Sequence, residues 1–301
     1  MNSNRRVAAI VVTYNPDAIQ IARLMDSLAG QSSKIIVVDN GSAIELSESL
    51  LQRPEVEVII LPSNAGIAAA QNIGIARAHE LACDYVILFD QDSTPPANLV
   101  NHLASIAEQK KQQGELIAAI GPSFADARLG KTSRFLRTRG LRSRLQTQGT
   151  GAVVTVDHLI ASGSLIPMAA LDLVGGMRED LFIDYVDTEW SLRAEHRHGL
   201  LSYGTFEVCL QHELGQIPIS ILGRNYAIHS PLRHYYLFRN SVWLWRQPWV
   251  PLNWKLARAP RLVLRLGFCL VFARPVLDQW CMIGLGLWHG VTGRMGKHAE
   301  S

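Results

Sequence analysis

Only four cysteines occur in this chain of 301 residues: Cys83, Cys209, Cys269 and Cys281. They are far apart and form no metal-ligand spacing. This excludes a zinc ribbon or a disulfide framework, and they read as reduced core residues of a cytosolic protein. Net charge is also scarce, because 29 Lys and Arg oppose 26 Asp and Glu for a formal +3. That balance argues against a nucleic-acid partner. Long apolar runs are missing as well. The most hydrophobic stretch, 262–287, is broken by Arg265, Arg274, Pro275 and Asp278, so it suits an interfacial helix rather than a spanning one. The apolar segment near the N-terminus is short and runs into Thr13-Tyr14-Asn15-Pro16. It reads as a first strand and not as a signal peptide. No internal repeat or low-complexity linker is visible.

What charge there is lies unevenly. After Asn240 there are eight basic residues against two acidic ones, a net of +6, which leaves −3 for the rest, and six of the seven Trp lie in the same tail. A basic, Trp-rich tail suits an anionic membrane surface. It equally suits a helical layer packed on a catalytic core, with Arg stems covering apolar surface.

The first 120 residues alternate between strand and helix patterns. Strands are expected at 7–12, 34–38, 56–61, 85–89 and 116–120. Helices are expected at 18–28, from Asn64 to about Leu81, and from Pro96 to about Gln112, with Asp17 as an N-cap. This order implies an α/β fold with a mostly parallel sheet and helices on both faces. The seven basic residues between Arg128 and Arg144 read as a solvated loop. Strand pieces return at 152–156 and 165–166, and helical pieces near 169–174 and 188–196.

The residues with most chemistry stand at strand ends. Asp90-Gln91-Asp92 follows the apolar run 85–89, and a buried parallel strand delivers its last residues to the ligand-binding edge of the sheet. Two carboxylates this close need a cation or donors to compensate them. Their hard oxygens suit Mg²⁺ or Mn²⁺ shared with substrate phosphates. Thr13, Tyr14 and Asn15 close the first strand. Asp39 closes the second, where a carboxylate can accept the imino hydrogen of a pyrimidine base. Asn64 and Gly66 open a helix containing Asn72, and its first amides can hold an anion or a sugar hydroxyl. Three strands thus bring polar residues to one edge. Downstream, Asp187 precedes a helix and can cap it or serve as a general base. His212 can supply a metal or phosphate contact. Arg233, Arg239 and Asn240 can clamp a diphosphate.

Taken in order, Val11 to Asn15, Val37 to Ser42, Asn64 to Asn72, Phe89 to Ser93, Ser162 to Ser164, Phe182 to Asp187 and Tyr235 to Asn240 resemble glycosyltransferase family 2 enzymes of the GT-A fold. The resemblance is strongest to the bacterial rhamnosyltransferases of that family. It implies an inverting transferase domain over about 1–240, with 241–301 as a helical extension. It also implies a nucleotide-sugar donor, dTDP-L-rhamnose for the rhamnosyltransferase group, and a divalent metal on Asp92, Asp90 and His212. Asp187 takes the base position. Many members carry Glu-Asp there, whereas this chain has Val186-Asp187, which keeps Asp184 in contention. A glycan or lipid-linked saccharide is the expected acceptor, with the enzyme cytoplasmic or peripheral on the inner membrane face. Two alternatives stand beside this reading. One is a haloacid-dehalogenase-type phosphatase with Asp90 as nucleophile, although that motif normally follows the first strand. The other is an inactive nucleotide-sugar binder.

Overall fold

The computed structural model describes residues 5–43, 52–126, 131–132, 134–140, 142–147, 151–212, 219–221, 224–226 and 229–299. Four strands form its centre: β1 (Val7–Thr13), β2 (Lys34–Asp39) and β4 (Tyr85–Asp90), which are apolar and almost wholly buried, and β3 (Val56–Ile60), which is half-buried at the sheet edge. All four are parallel, and β1 lies between β2 and β4. Their residues alternate between two cores, as a pleat requires. Ile10, Val12, Ile36, Val38, Val86 and Leu88 face one side, and Val11, Ile35, Val37, Ile87 and Phe89 the other. The helices α1 (Ala18–Leu28), α2 (Ile67–Glu80) and α3 (Leu99–Gln112) cover these faces. Asp17 caps α1, accepting from the amides of Ile19 and Gln20 at 2.9 Å each. The helix expected to open at Pro96 begins three residues later, because Ser93–Thr94 forms a short strand, β5, and the Pro96 carbonyl accepts from the Leu99 amide and from Gln31 Nε2.

Beyond β4 the sheet becomes mixed. Its remaining strands are β6 (Ile117–Asp126), β7 (Lys131–Thr132), β10 (Val153–Val156), β11 (Leu165–Pro167) and β12 (Leu201–His212). The main path runs β10-β12-β6-β11-β4-β1-β2-β3. The strand order reverses between β1 and β4, which is where open α/β sheets place their ligand crevice. Register aligns the crevice residues, since Thr13 pairs with Asp39 and Val12 with Asp90.

The basic run is not simply a solvated loop. Arg128 lies outside the described residues, but β8 (Phe135–Arg139) and β9 (Arg142–Gln146) pair as a hairpin. Arg137 turns inward, donating two 2.7 Å bonds to Glu195 on α5 (Val186–His198). A bidentate pair of this kind is among the stronger ionic contacts.

After α4 (Met168–Val174), α5 and the small β13–β14 pair (Ile219–Ile221, Arg224–Tyr226), the chain ends in three helices: α6 (Pro231–Arg246), α7 (Leu252–Phe272) and α8 (Val276–Thr292). A boundary at residue 240 falls inside α6. That helix is buried on nearly all sides, and it packs on α8 where a Cβ on Gly286 or Gly290 would lie 2.5–2.6 Å from the carbonyls of Tyr235 and Arg239. Only glycine permits backbones this close. All four cysteines are free. Cys83 and Cys269 are buried, but Cys281 is exposed on α8 rather than in a core.

Candidate active site

The turn after β1 is built from side chains of its neighbours. Thr13 donates to Asp39 Oδ1 at 2.9 Å, and the Ser42 amide donates to Oδ2 at 3.0 Å, so the buried Asp39 carboxylate is fixed in orientation. Asn15 adopts a left-handed φ of +46°, and its Oδ1 accepts from the Ala43 amide at 2.9 Å. Gln91 accepts from the Tyr14 amide at 2.8 Å and donates to the Tyr14 carbonyl at 3.3 Å. Gln91 therefore staples the ends of β1 and β4 together. Tyr14 itself is 47% exposed, its ring open to a ligand.

The start of α2 differs from the expectation. Three amides leading into it are engaged within the protein: Ala65 N with Asn40 Oδ1 at 2.8 Å, Gly66 N with Asn64 Oδ1 at 3.0 Å, and Ile67 N with the Phe182 carbonyl at 2.8 Å. The Asn64 side chain thus shapes this loop. Gly66, at φ +90°, is needed because a Cβ would sit 2.7 Å from Phe182. Asn72 likewise does not reach toward a nucleotide. Its amide holds Met177 and Glu179 through three bonds of 2.7–2.9 Å.

These contacts support the loop that carries the candidate base. Phe182, Asp184 and Tyr185 all have φ between +61° and +67°. Such conformations cost of order 1–3 kcal/mol each for non-glycine residues, so surrounding structure must impose them. Here α6 does so. Asn240 Nδ2 lies 2.7–2.9 Å from the carbonyls of Leu181, Ile183 and Asp184, and Arg239 donates to the carbonyls of Asp180, Leu181 and Gly296. Arg239 is 0% exposed and lies over the rings of Tyr235 and Tyr236. It is a support for the loop and not a diphosphate clamp. We expect Asn240→Ala to cost about 1–3 kcal/mol through unsatisfied buried carbonyls, and to lower kcat more than it raises the donor KM. Chemical denaturation and steady-state kinetics check both.

Asp187 stands in the first turn of α5 and accepts from the Thr188 amide at 2.6 Å. Burial pushes its carboxyl up to about 6, the Thr188 hydrogen bonds pull the other way, and repulsion from Asp90 and Asp184 adds to the rise. The three carboxylates therefore share one field. A small cavity beside Asp187 is lined by Leu88, Ser164, Met177, Trp190 and Gln71. Gln71 is 3% exposed and its Oε1 has no hydrogen-bond partner. Sequence reasoning passed over it, although it stands within the Asn64–Asn72 motif. Val186, in place of the usual acid, is a core residue, and Glu189 is buried in a pair with Arg193 on its own helix. Arg233, partly exposed, lies 3.4 Å from Asp184.

Asp90 and Asp92 flank Gln91 at the same edge, and β12 sets His212 opposite Ser93 in the register. The side chain of His212 lies outside the described residues. Among the described residues, no group of three His, Cys, Asp or Glu is gathered to hold a metal.

Residues 8–164 match the family described as glycosyl transferase family 2. The chain is 34% identical over 256 residues to the dTDP-rhamnosyl transferase RfbF of Shigella flexneri, covering 84% of this chain and 83% of that protein. It is 28% identical over 200 residues to the pre-mycofactocin glycosyltransferase of Mycobacterium tuberculosis, covering 63% of this chain and 39% of that one. Among solved structures, Staphylococcus aureus TarS 1-349 in complex with UDP-GlcNAc superposes with a TM-score of 0.57 at 16% identity, covering 95% of this chain and 81% of that one. GalNAc-T7 with UDP, GalNAc and Mn²⁺ gives 0.55 at 12% identity, over 92% and 59%. The phosphatase and inactive-binder alternatives fall away, and the chain belongs to glycosyl transferase family 2, with the GT-A fold of a glycosyltransferase.

Proposed function

We propose that the protein is an inverting rhamnosyltransferase that moves L-rhamnose from dTDP-L-rhamnose to a glycan or lipid-linked glycan acceptor in the synthesis of a cell-surface polysaccharide. The observation that carries this reading is the 34% identity to a dTDP-rhamnosyl transferase across 84% of the chain. In it, Asp39 accepts the imino hydrogen of thymine beneath the Tyr14 ring, with Thr13 and Asn15 shaping that pocket. Asp187 takes the proton of the acceptor hydroxyl as its oxygen bonds to the anomeric carbon. The bond from that carbon to the diphosphate breaks on the opposite face, inverting the centre. Arg233 then faces the dTDP leaving group, and Asp184 orients Arg233.

The donor set at the end of β4 fits Mg²⁺ or Mn²⁺. These ions need only one or two carboxylates when substrate phosphates complete the shell, so Asp92 and Asp90 suffice without a three-residue cluster. His212 is the remaining candidate ligand. A bound divalent ion would supply charge stabilisation to the departing diphosphate.

The test is a panel of nucleotide sugars. We expect dTDP to be released from dTDP-L-rhamnose at least about tenfold faster than any UDP- or GDP-sugar turns over, a ratio that base and sugar contacts can supply. Preference for a UDP-sugar would overturn the donor assignment.

The protein works, on this reading, in the cytoplasm at the inner membrane face. No described helix is long and apolar enough to cross a membrane.

A further inference from the structure

The outer side of the α7–α8 hairpin carries an apolar surface that is exposed among the described residues. On α7, Leu252, Leu256, Val263, Gly267 and Val271 are exposed at spacings of four and seven residues, which is a single helical stripe. The opposite side of α7 buries Trp254 and Cys269. On α8, Gln279, Ile283, Gly286 and Gly290 face α6, whereas Leu277, Trp280 and Trp288 face outward. Val263, Leu264, Leu277 and Trp288 are each between 63% and 74% exposed. Scattered exposed hydrophobics are ordinary, but two adjacent helices with continuous apolar outer stripes are not.

The charge around this surface identifies its occupant. Residues 247–299 contain seven Lys and Arg and one acid, Asp278. Arg261, Arg274 and Arg294 are exposed around the stripes. A protein-binding face of this size carries no need for such single-sign charge, whereas an anionic leaflet attracts it, and interfacial Trp anchors in the headgroup layer.

Both ends of the hairpin are tied to the catalytic loop. Where α7 turns into α8, Gln279 donates to the His229 carbonyl at 3.1 Å, just before α6, whose Arg233 reaches Asp184. After α8, the Gly296 amide donates to the Asp180 carbonyl and Lys297 to the Asn64 carbonyl, each at 2.8 Å.

We infer that the outer face of α7 and α8 lies in an anionic bilayer surface, so that a lipid-linked acceptor meets Asp187 from the membrane side. This rests on the transferase reading and adds the surface that would serve it. The test floats the full chain with vesicles of phosphatidylcholine alone and of equal parts phosphatidylcholine and phosphatidylglycerol, at low and high salt. We expect binding to the anionic vesicles at low salt, weakened by salt screening. Each of Arg261→Gln and Arg274→Gln should weaken it about fivefold, and the double variant V263E/L264E should weaken it at least about tenfold. dTDP affinity and melting temperature, measured in parallel, should be unchanged in all three variants, which shows that they fold. No binding of the parent to anionic vesicles at low salt overturns the inference. So does undiminished binding by V263E/L264E, or a parent dimer that this variant splits, which would assign the face to a second copy. Absence of nucleoside diphosphate release from every sugar of the panel would instead sink the transferase reading, whatever the vesicles show.

Discussion

Replacing Asp187 with asparagine is expected to lower kcat by about 10²–10⁴-fold, the usual cost of removing a general base, while the affinity for the nucleotide sugar stays within about twofold. Asp184→Asn should lose less, because Asp184 acts through its contact with Arg233. If Asp184→Asn is the inactive variant and Asp187→Asn turns over, the base has been misassigned. Environment gives a second readout. Asp187 is raised from 3.8 to about 6, chiefly by burial. The rate should therefore rise about tenfold per pH unit below 6 and level off above it. A divalent ion at Asp90 and Asp92 would offset the Asp90 repulsion, moving this limb to lower pH. A limb centred above pH 7 would point to another base. The same shift has a consequence for stability. A carboxyl raised in the folded state binds its proton more tightly there than in the unfolded chain. Its favourable contribution is present below about pH 4 and is lost as pH rises through about 6. At neutral pH, ionised Asp187 destabilises the fold. Asp187→Asn should then melt at a higher temperature than the parent at pH 7, with a smaller difference at pH 4–5. A gain in stability beside a loss of turnover is what distinguishes a functional carboxylate from a helix cap, where asparagine serves as well as aspartate and stability would not change.

The parts of this site that could be read from the chain are those set by short-range rules. Buried parallel strands are continuous apolar runs, so the polar residues ending them, Thr13, Asp39 and Asp90, mark the sheet edge without ambiguity. Helix α1 follows its periodicity and its Asp17 cap, whereas α5 begins at Val186 with Tyr185 at the cap position, so that Asp187 lies inside the first turn and does not cap it. What could not be read depends on burial and on the path of the loops. Arg239 stands in an aromatic segment, and no local pattern says whether its guanidinium meets phosphate or backbone carbonyls. The fold decides, because α6 is enclosed by α8 and the catalytic loop. Asn72 and Asn64 follow the same logic, since an amide can bind a ligand or close a loop equally well, and here both close loops. The left-handed run at Phe182, Asp184 and Tyr185 contains no glycine to announce it. Arg137 sits in a basic stretch that reads as solvated, yet its partner Glu195 is 58 residues away.

Neutralising Asp92, the carboxylate proposed to hold a divalent ion, should be damaging on the same scale as losing the base. Two carboxylates flank Gln91, whose amide is committed to the Tyr14 main chain. Gln91 thus fixes the turn, and Asp90 and Asp92 on either side of it are the carboxylates proposed to meet the diphosphate through a cation. Without a cation, the negative charges of dTDP and of these carboxylates repel one another. A divalent ion held by the same carboxylates would draw the diphosphate in, and its charge would stabilise the leaving group as the sugar–phosphate bond breaks. Lewis-acid stabilisation of this kind is worth several kcal/mol, and each 1.36 kcal/mol is a factor of ten. Asp92→Asn should therefore lose at least about 10²-fold in kcat/KM, and excess EDTA should do the same to the parent. Binding provides the independent measurement. Calorimetric titration of dTDP into the parent should show tighter binding with Mg²⁺ or Mn²⁺ than with EDTA, and Asp92→Asn should show a much smaller difference between the two. If neutralising Asp92 instead improves dTDP binding in EDTA and leaves turnover intact, the pair merely repels the donor. The leaving group would then depend on Arg233 alone.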